Sequence, residues 1–325
     1  MQQRTSLHSF LLLSFSMTAL FLLGFNPATN ARNIMDTKSD STTILGRWNI
    51  TVDVNGEMIP SWLEVRHSGF KMLVGRFVGT EGSARPVSRI FLKDGVLSFS
   101  IPPQWQTEKN DLVVEGKLEG DHINGSMTFP DGKKHSWTAV KAPTLRREKA
   151  PVWGKPIVLF DGKNLDAWHA MGDNQWKAED GILRSPHAGS NLVTNQKFND
   201  FKLHIEFRYP PESNSGVYLR GRYEVQIIDS KGAEPSDILF GGVYGFLTPS
   251  VMAAKAPGEW QSYDITLVGR LVTIVANGIP IIQNVEIPGI TGGAIDGNEG
   301  EPGPILLQGD HGSIDYRNII LTPAK

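Results

Sequence analysis

Apolar and polar residues alternate with a period of two in short runs from about residue 44 to the C-terminus. The runs are closed by turn signals such as "KDG", "PDG", "EDG" and "ANG". Alternation of this kind puts one set of side chains into a core and the other toward water, which is the pattern of half-buried strands. No amphipathic helical stretch of convincing length interrupts it, so the predicted fold class is all-β.

The strands fall into two blocks. Residues 42–142 carry eight, including "GRWNITVDV", "KMLVGRFV", "DLVVEGKLEG" and "HSWTAVKA". Strands in sequence joined by short turns predict an antiparallel meander closed into a small lipocalin-like barrel. Trp48, Trp62, Trp105 and Trp137 are assigned to its core or rim, with an aromatic platform for a sugar as the alternative. Residues 143–155, rich in proline and charge and without periodicity, read as a linker. Residues 156–325 hold a second antiparallel set, from "LHIEFRYP" to "SIDYRNIILTP". That number of strands predicts a two-sheet jelly-roll sandwich.

Composition narrows the function classes. The chain has no cysteine, which excludes disulfides, thiolate metal sites and cysteine nucleophiles. A formal charge of −2 without any basic run gives nucleic acid no footing. Residues 1–31 read as a secretory leader, with Arg4 ahead of an apolar core and small residues before a cut after Ala31. The mature chain is therefore expected to be secreted or periplasmic, with no membrane span; an uncleaved anchor is the alternative. Oligomeric state has no sequence signal.

Alternation also sorts the polar residues of the second block by face. His204, Glu206 and Arg208 lie opposite Leu203, Ile205 and Phe207. Glu224 and Gln226 lie opposite Tyr223, Val225 and Ile227. Tyr218 shares a face with Arg220, and Leu306 with Gln308, while Asp310 and His311 follow in a turn. Long planar hydrogen-bonding groups and aromatics across several strands suit a polyhydroxylated ligand. A plainly solvated sheet face is the competing reading.

In order along the chain, "IVLFDGKNLDAWHA", "EDGILRS", "LHIEFRYPPESNSGVYLRG", "YEVQIIDS", "GGVYGF", "PGEWQSYDITLVG", "VANGIPI" and "PILLQGDHGSIDYRNIIL" resemble the 3-keto-disaccharide hydrolase family over residues 155–322. The resemblance implies a concanavalin A-like sandwich and an exported enzyme acting on glycosides oxidised at C3. A 3-keto group acidifies the C2 proton, so a base can form an enolate that expels the aglycone from C1, after which water can add. Such a site needs a base, an acid and donors for the enolate oxygen. The matching positions are Glu206, Arg220, Glu224, Gln226, Tyr244, Gln308 and His311. The resemblance implies Glu224 or His311 as base, Arg220 on the 3-keto oxygen, and Gln226 and Gln308 on hydroxyls. Tyr244 would be a stacking wall or an acid, and Glu206 a further substrate contact.

Several blander readings stand beside these. Arg220 and Glu224 could pair across strands, His311 could be an exposed turn residue, and Arg317 and Trp260 read as structural. No HxH, HExxH or EF-hand spacing occurs, so no cofactor or transition metal is expected. Calcium held by scattered oxygens would leave no motif. The competing functions are a non-catalytic carbohydrate-binding protein and a conventional hydrolase using two carboxylates, Glu206 and Glu224.

Overall fold

A computed structural model describes residues 43–325 of the chain. The leader expected at residues 1–31 lies outside the described residues. Eight strands pair in sequence order into a closed antiparallel barrel: β1 (Gly46–Val54), β2 (Glu57–Ser68), β3 (Met72–Val78), β4 (Arg85–Lys93), β5 (Val96–Ile101), β6 (Leu112–Glu119), β7 (His122–Thr128) and β8 (Lys134–Lys141). Full closure removes both sheet edges. The alternation expected from sequence is plainest in β6, where Leu112, Val114, Gly116 and Leu118 are buried and their neighbours exposed. Trp48 and Trp137 lie in the barrel core. A Cβ at Gly116 would stand 2.6 Å from the Trp137 ring, so glycine leaves the indole its space.

Thirteen further strands are β9 (Ile157–Phe160), β10 (Trp168–Ala170), β11 (Lys177–Glu179), β12 (Ile182–Ser185), β13 (Leu192–Thr194), β14 (Phe201–Arg208), β15 (Asn214–Leu219), β16 (Tyr223–Ile228), β17 (Gln261–Val268), β18 (Leu271–Ala276), β19 (Ile279–Glu286), β20 (Leu306–Leu307) and β21 (Ile314–Pro323). They build a five-stranded sheet, β10-β13-β20-β15-β16, and an eight-stranded one, β11-β12-β21-β14-β17-β18-β19 with β9 against β21. Val217, Val225 and Ile227 of the first sheet share one apolar cluster with Ile205, Phe207, Tyr263 and Ile274 of the second. Each of these side chains contributes about 1.5–3 kcal/mol by leaving water, which holds the sheets together.

The barrel is packed against these sheets. Trp62 points out of it into the sheets' cluster, edge-on to Phe246 with centroids 5.2 Å apart. A side chain at Gly289 or Gly292 would run into the Trp62 indole or the Gly82 carbonyl. Asn49 Nδ2 donates to the Gly297 carbonyl at 2.7 Å. The barrel wall thus fixes the long segment between β19 and β20, which in turn lies across the β15–β16 hairpin.

Candidate active site

The face of the five-stranded sheet turned away from the shared core carries Glu224 and Gln226 from β16, Tyr218 from β15 and Gln308 just after β20. Pairing sets this geometry: Tyr218 stands opposite Glu224 and Leu306, and Gly216 opposite Gln226. Without a side chain at Gly216, the Glu224 carboxyl has room, because a Cβ there would stand 2.5 Å from its Oε1. Val193, Tyr218 and Leu306 form a small apolar cluster on the same face, with Ile295 of the β19–β20 segment packed against it.

Glu224 is 3% exposed. Its backbone N–H donates to Thr291 Oγ1 at 3.0 Å, and its carbonyl accepts from the Tyr244 N–H at 3.1 Å. Its carboxyl meets one hydroxyl, Tyr218 Oη, at 2.9 Å. Among the described residues no lysine or arginine pairs with it. Burial therefore dominates and pushes its pKa up to about 8, against the Tyr218 hydrogen bond and the influence of His311. The Tyr218 hydroxyl also lies 3.1 Å from the Gly292 carbonyl. A hydroxyl has one proton to donate. With Glu224 protonated, the carboxylic acid donates to Tyr218 and Tyr218 donates to Gly292, so every group is satisfied. Ionising Glu224 draws the tyrosine proton to the carboxylate and leaves Gly292 without it.

His311 lies close enough for the two charges to influence each other. Its Nδ1 is 2.5 Å from Asp310 Oδ1. An ionised carboxylate only accepts, so Nδ1 carries the proton and Nε2 of the neutral ring is left free to accept one. The Asp310 hydrogen bond raises the His311 pKa above its ordinary value, against partial burial and with the charges of Asp310 and Glu224 adding to the rise. Gln226 and Gln308 are both buried, and each leaves its side-chain oxygen without a partner. An unpaired buried amide is costly, and a ligand is one way to satisfy it. Half-buried Tyr244 completes the group beside Glu224, whose charge adds to the upward effect of burial on its phenol.

Two sequence-predicted site residues are elsewhere. Arg220 does not share the Tyr218 face, because the strand ends at Leu219 and Arg220 turns with a φ of 55°. Its guanidinium, 2% exposed, donates to Tyr223 Oη at 3.1 Å and to the carbonyls of Gly269 and Glu299 at 2.9 and 3.3 Å. It does not pair with Glu224. Glu206 sits on β14, in the other sheet, with its carboxyl bonded by Arg317 at 2.6 Å and Asn318 at 2.8 Å. Burial works against ionisation there, but these hydrogen bonds win and hold its pKa below the usual carboxylate value. The shared core lies between the two sheets, which removes the Glu206–Glu224 pair required by a two-carboxylate mechanism. Arg317, for which a structural role is expected, holds its guanidinium 3.9 Å from the centre of the Trp260 ring.

Thr291 and Gly292 were not anticipated. They lie in the glycine-rich stretch "PGITGGAIDGNEGEPGP", whose composition reads as a turn-rich loop. Only the tertiary fold brings that stretch across the hairpin. Among the described residues no cluster of three or more His, Cys, Asp or Glu is arranged to hold a metal.

Comparison with known proteins adds a family. Residues 155–322, about half of the chain, match a family described as a 3-keto-alpha-glucoside-1,2-lyase-like domain. A 3-keto-disaccharide hydrolase from Bacteroides thetaiotaomicron is 28% identical over 96 residues, which span 26% of this chain and 32% of the relative. The match therefore reaches about a third of that relative's length. A candidate glycosyl hydrolase from Parabacteroides distasonis is 34% identical over 51% of this chain and 82% of its own, with a TM-score of 0.45. A second from the same organism is 25% identical over 52% and 98%, with a TM-score of 0.41. The family match begins at the end of the linker and takes in both sheets and every residue of the Glu224 face, while leaving the barrel outside it: the chain belongs to the 3-keto-alpha-glucoside-1,2-lyase-like family.

Proposed function

We propose that the protein is an exported enzyme that cleaves 3-keto-glycosides by elimination, and that the Glu224 face is where it does so. In this reading the two sheets are a concanavalin A-like jelly roll, residues 156–325, following a lipocalin-like barrel domain. The observation that carries the proposal is a buried carboxyl with a pKa of about 8, set beside an Asp310-oriented histidine and two glutamines whose side-chain oxygens lack partners.

The chemistry assigns a role to each group. His311 Nε2 takes the C2 proton of the 3-keto sugar, and Asp310 stabilises the imidazolium that forms. The electron pair becomes the C2–C3 enolate, whose oxygen is met by the Gln226 or Gln308 amide N–H groups. Collapse of the enolate makes the C1–C2 double bond and breaks the bond from C1 to the glycosidic oxygen. Glu224, protonated at neutral pH, gives its proton to the departing oxygen. Water adding across C1–C2 then yields the free 3-keto sugar, so elimination followed by hydration amounts to hydrolysis. A raised pKa matches the acid's role, because a carboxyl at its ordinary value would hold little proton to give at pH 7.

The test is release of aglycone from a 3-keto-glucoside and from the matching unoxidised glucoside. Release from the keto form alone is expected. Release from both at similar rates would favour a conventional hydrolase, and binding without release a carbohydrate-binding protein. Glu224→Gln should lose activity on an alkyl 3-keto-glucoside but keep most of it on a p-nitrophenyl one, whose leaving group needs no acid. Equal loss on both would instead make Glu224 the base.

A further inference from the structure

The barrel reaches the Glu224 face through residues 79–84, the loop between β3 and β4. A Cβ on Gly292 would stand 2.0 Å from the Gly82 carbonyl oxygen, and one on Gly245 would stand 2.4 Å from the Ala84 nitrogen and 2.9 Å from the Ser83 Cβ. Gly292 and Gly245 belong to the two segments that hold Glu224. Thr291 Oγ1 accepts from the Glu224 N–H, the Gly292 carbonyl lies against the Tyr218 hydroxyl, and the Tyr244 N–H donates to the Glu224 carbonyl. A Cβ on Gly293 would in turn stand 2.5 Å from the Tyr218 hydroxyl. One barrel loop therefore backs both segments. Family membership assigns it nothing, because the match begins at residue 155.

These contacts join glycines to backbone atoms and a single Cβ. Close-packed backbone has no rotamer to change, so a shift of Gly82 passes to Gly292 instead of being absorbed by a side chain. The loop is itself braced from within the barrel, as a supporting shell must be. Gln104 Nε2 donates to Ser83 Oγ at 2.7 Å, Gln106 Nε2 donates to Glu81 at 3.0 Å, and Gln106 Oε1 accepts from the Gln104 N–H at 3.0 Å. Trp62 lies against Gly289 and Phe246, and the Arg76 guanidinium stands 5.3 Å from the Phe246 ring centre, two residues beyond Tyr244. The titratable groups coupled to Glu224 are Tyr218, Tyr244, Asp310 and His311, with Tyr316 from the core side. All of them belong to the sheets and their loops, so the barrel acts on Glu224 by contact and not by charge.

We infer that residues 79–84 of the barrel are a positioning element of the Glu224 site, with Gly82 keeping the Gly292 carbonyl on the Tyr218 hydroxyl. Gly292 competes with the Glu224 carboxylate for the single Tyr218 proton. Moving Gly292 away frees that proton for the carboxylate and so favours the ionised form. The effect of the loop on turnover rests on the function proposed above, whereas its effect on the ionisation of Glu224 does not.

The test compares Gly82→Ala with Gly132→Ala in the full chain. The two glycines have nearly the same φ, 79° and 82°, so both variants carry the same left-handed backbone penalty. A Cβ on Gly132 meets nothing within 4 Å, whereas one on Gly82 would stand 2.5 Å from Gln104 Oε1 and obliges the loop to shift. The Glu224 carboxyl, followed by carbon-13 NMR and assigned by its absence in Glu224→Gln, should titrate about half a unit to one unit lower in Gly82→Ala. In Gly132→Ala it should titrate as in the wild type. Gln104→Ala unties Ser83 without adding an atom and should move the titration the same way, so it carries the test should Gly82→Ala not fold. The alkaline limb of kcat/KM should follow to lower pH in both loop variants. A wild-type titration in Gly82→Ala and Gln104→Ala, or an equal shift in Gly132→Ala, would overturn the inference. A shift confined to Gly82→Ala and Gln104→Ala, in a protein that turns over no 3-keto-glucoside, would support the inference and overturn only the proposed function.

Discussion

Two buried glutamates meet at the β15–β16 hairpin, Glu224 on β16 and Glu299 in the segment between β19 and β20. Glu299, 0% exposed, accepts from the Arg270 guanidinium at 2.9 and 2.8 Å and from Tyr223 Oη at 2.7 Å. Glu224, nearly as enclosed, is hydrogen-bonded to one neutral hydroxyl and has no cation bonded to it. Burial of a carboxylate is expensive in both places. At Glu299 the cost is met by an arginine fork and a phenol, and the result is a fixed ion pair closing the segment between β19 and β20. At Glu224 the cost is left standing, and the side chain answers by keeping its proton. The same residue type at the same depth is a brace in one place and a proton store in the other, and the difference lies in the partners.

The largest test of that contrast is Glu299→Ala. It leaves Arg270 buried without its partner and should cost about 3–5 kcal/mol in stability, read from urea denaturation. A loss below about 1 kcal/mol would mean that the pair is not a brace.

Glu224→Gln should behave in the opposite manner. Activity on an alkyl 3-keto-glucoside is expected to fall about 10²–10⁴-fold, with the fold retained. Stability should change with pH in a set direction. The folded-state pKa of about 8 lies above the ordinary carboxylic value, so the folded chain holds the proton more tightly than the unfolded one. The stabilising contribution is full below the ordinary value and is lost as pH rises toward about 8. Between pH 5 and 8 the wild type should therefore lose a few kcal/mol relative to Glu224→Gln. Parallel stability curves for the two proteins would contradict the reading of an unpaired carboxyl.

Tyr218→Phe is a smaller probe. It removes the hydroxyl that favours the ionised carboxylate, so the alkaline limb of the kcat/KM profile should move to higher pH, with about 1 kcal/mol lost in stability. Smallest of all, Glu206→Gln on the far sheet removes a partly exposed ion pair. It should cost under about 1 kcal/mol and leave turnover alone.

Much of this was legible in the sequence, for a physical reason. A strand's period of two is local, so the barrel strands and the opposition of Glu224 and Gln226 to Val225 can be read directly from the chain. Alternation does not say which sheet a strand joins. For that reason Glu206, correctly placed opposite Ile205, was wrongly grouped with Glu224. Nor does it say where a strand stops: Arg220 follows Tyr218 by two residues, but a left-handed turn at that position sends its guanidinium to Tyr223 and Gly269. Thr291, Gly292 and Glu299 act through contacts across some 70 residues of chain. Their surroundings in sequence are those of any glycine-rich loop.

In the proposed mechanism the Glu224 face removes a proton from C2 of a 3-keto sugar. The most direct measurement is turnover of a 3-keto-glucoside in heavy water, with the product followed by proton NMR against an enzyme-free control. Elimination predicts either an unsaturated product without a C2 hydrogen, or a free 3-keto sugar carrying deuterium at C2. A 3-keto sugar released with its original C2 proton would show displacement at C1 without proton abstraction, and would contradict elimination.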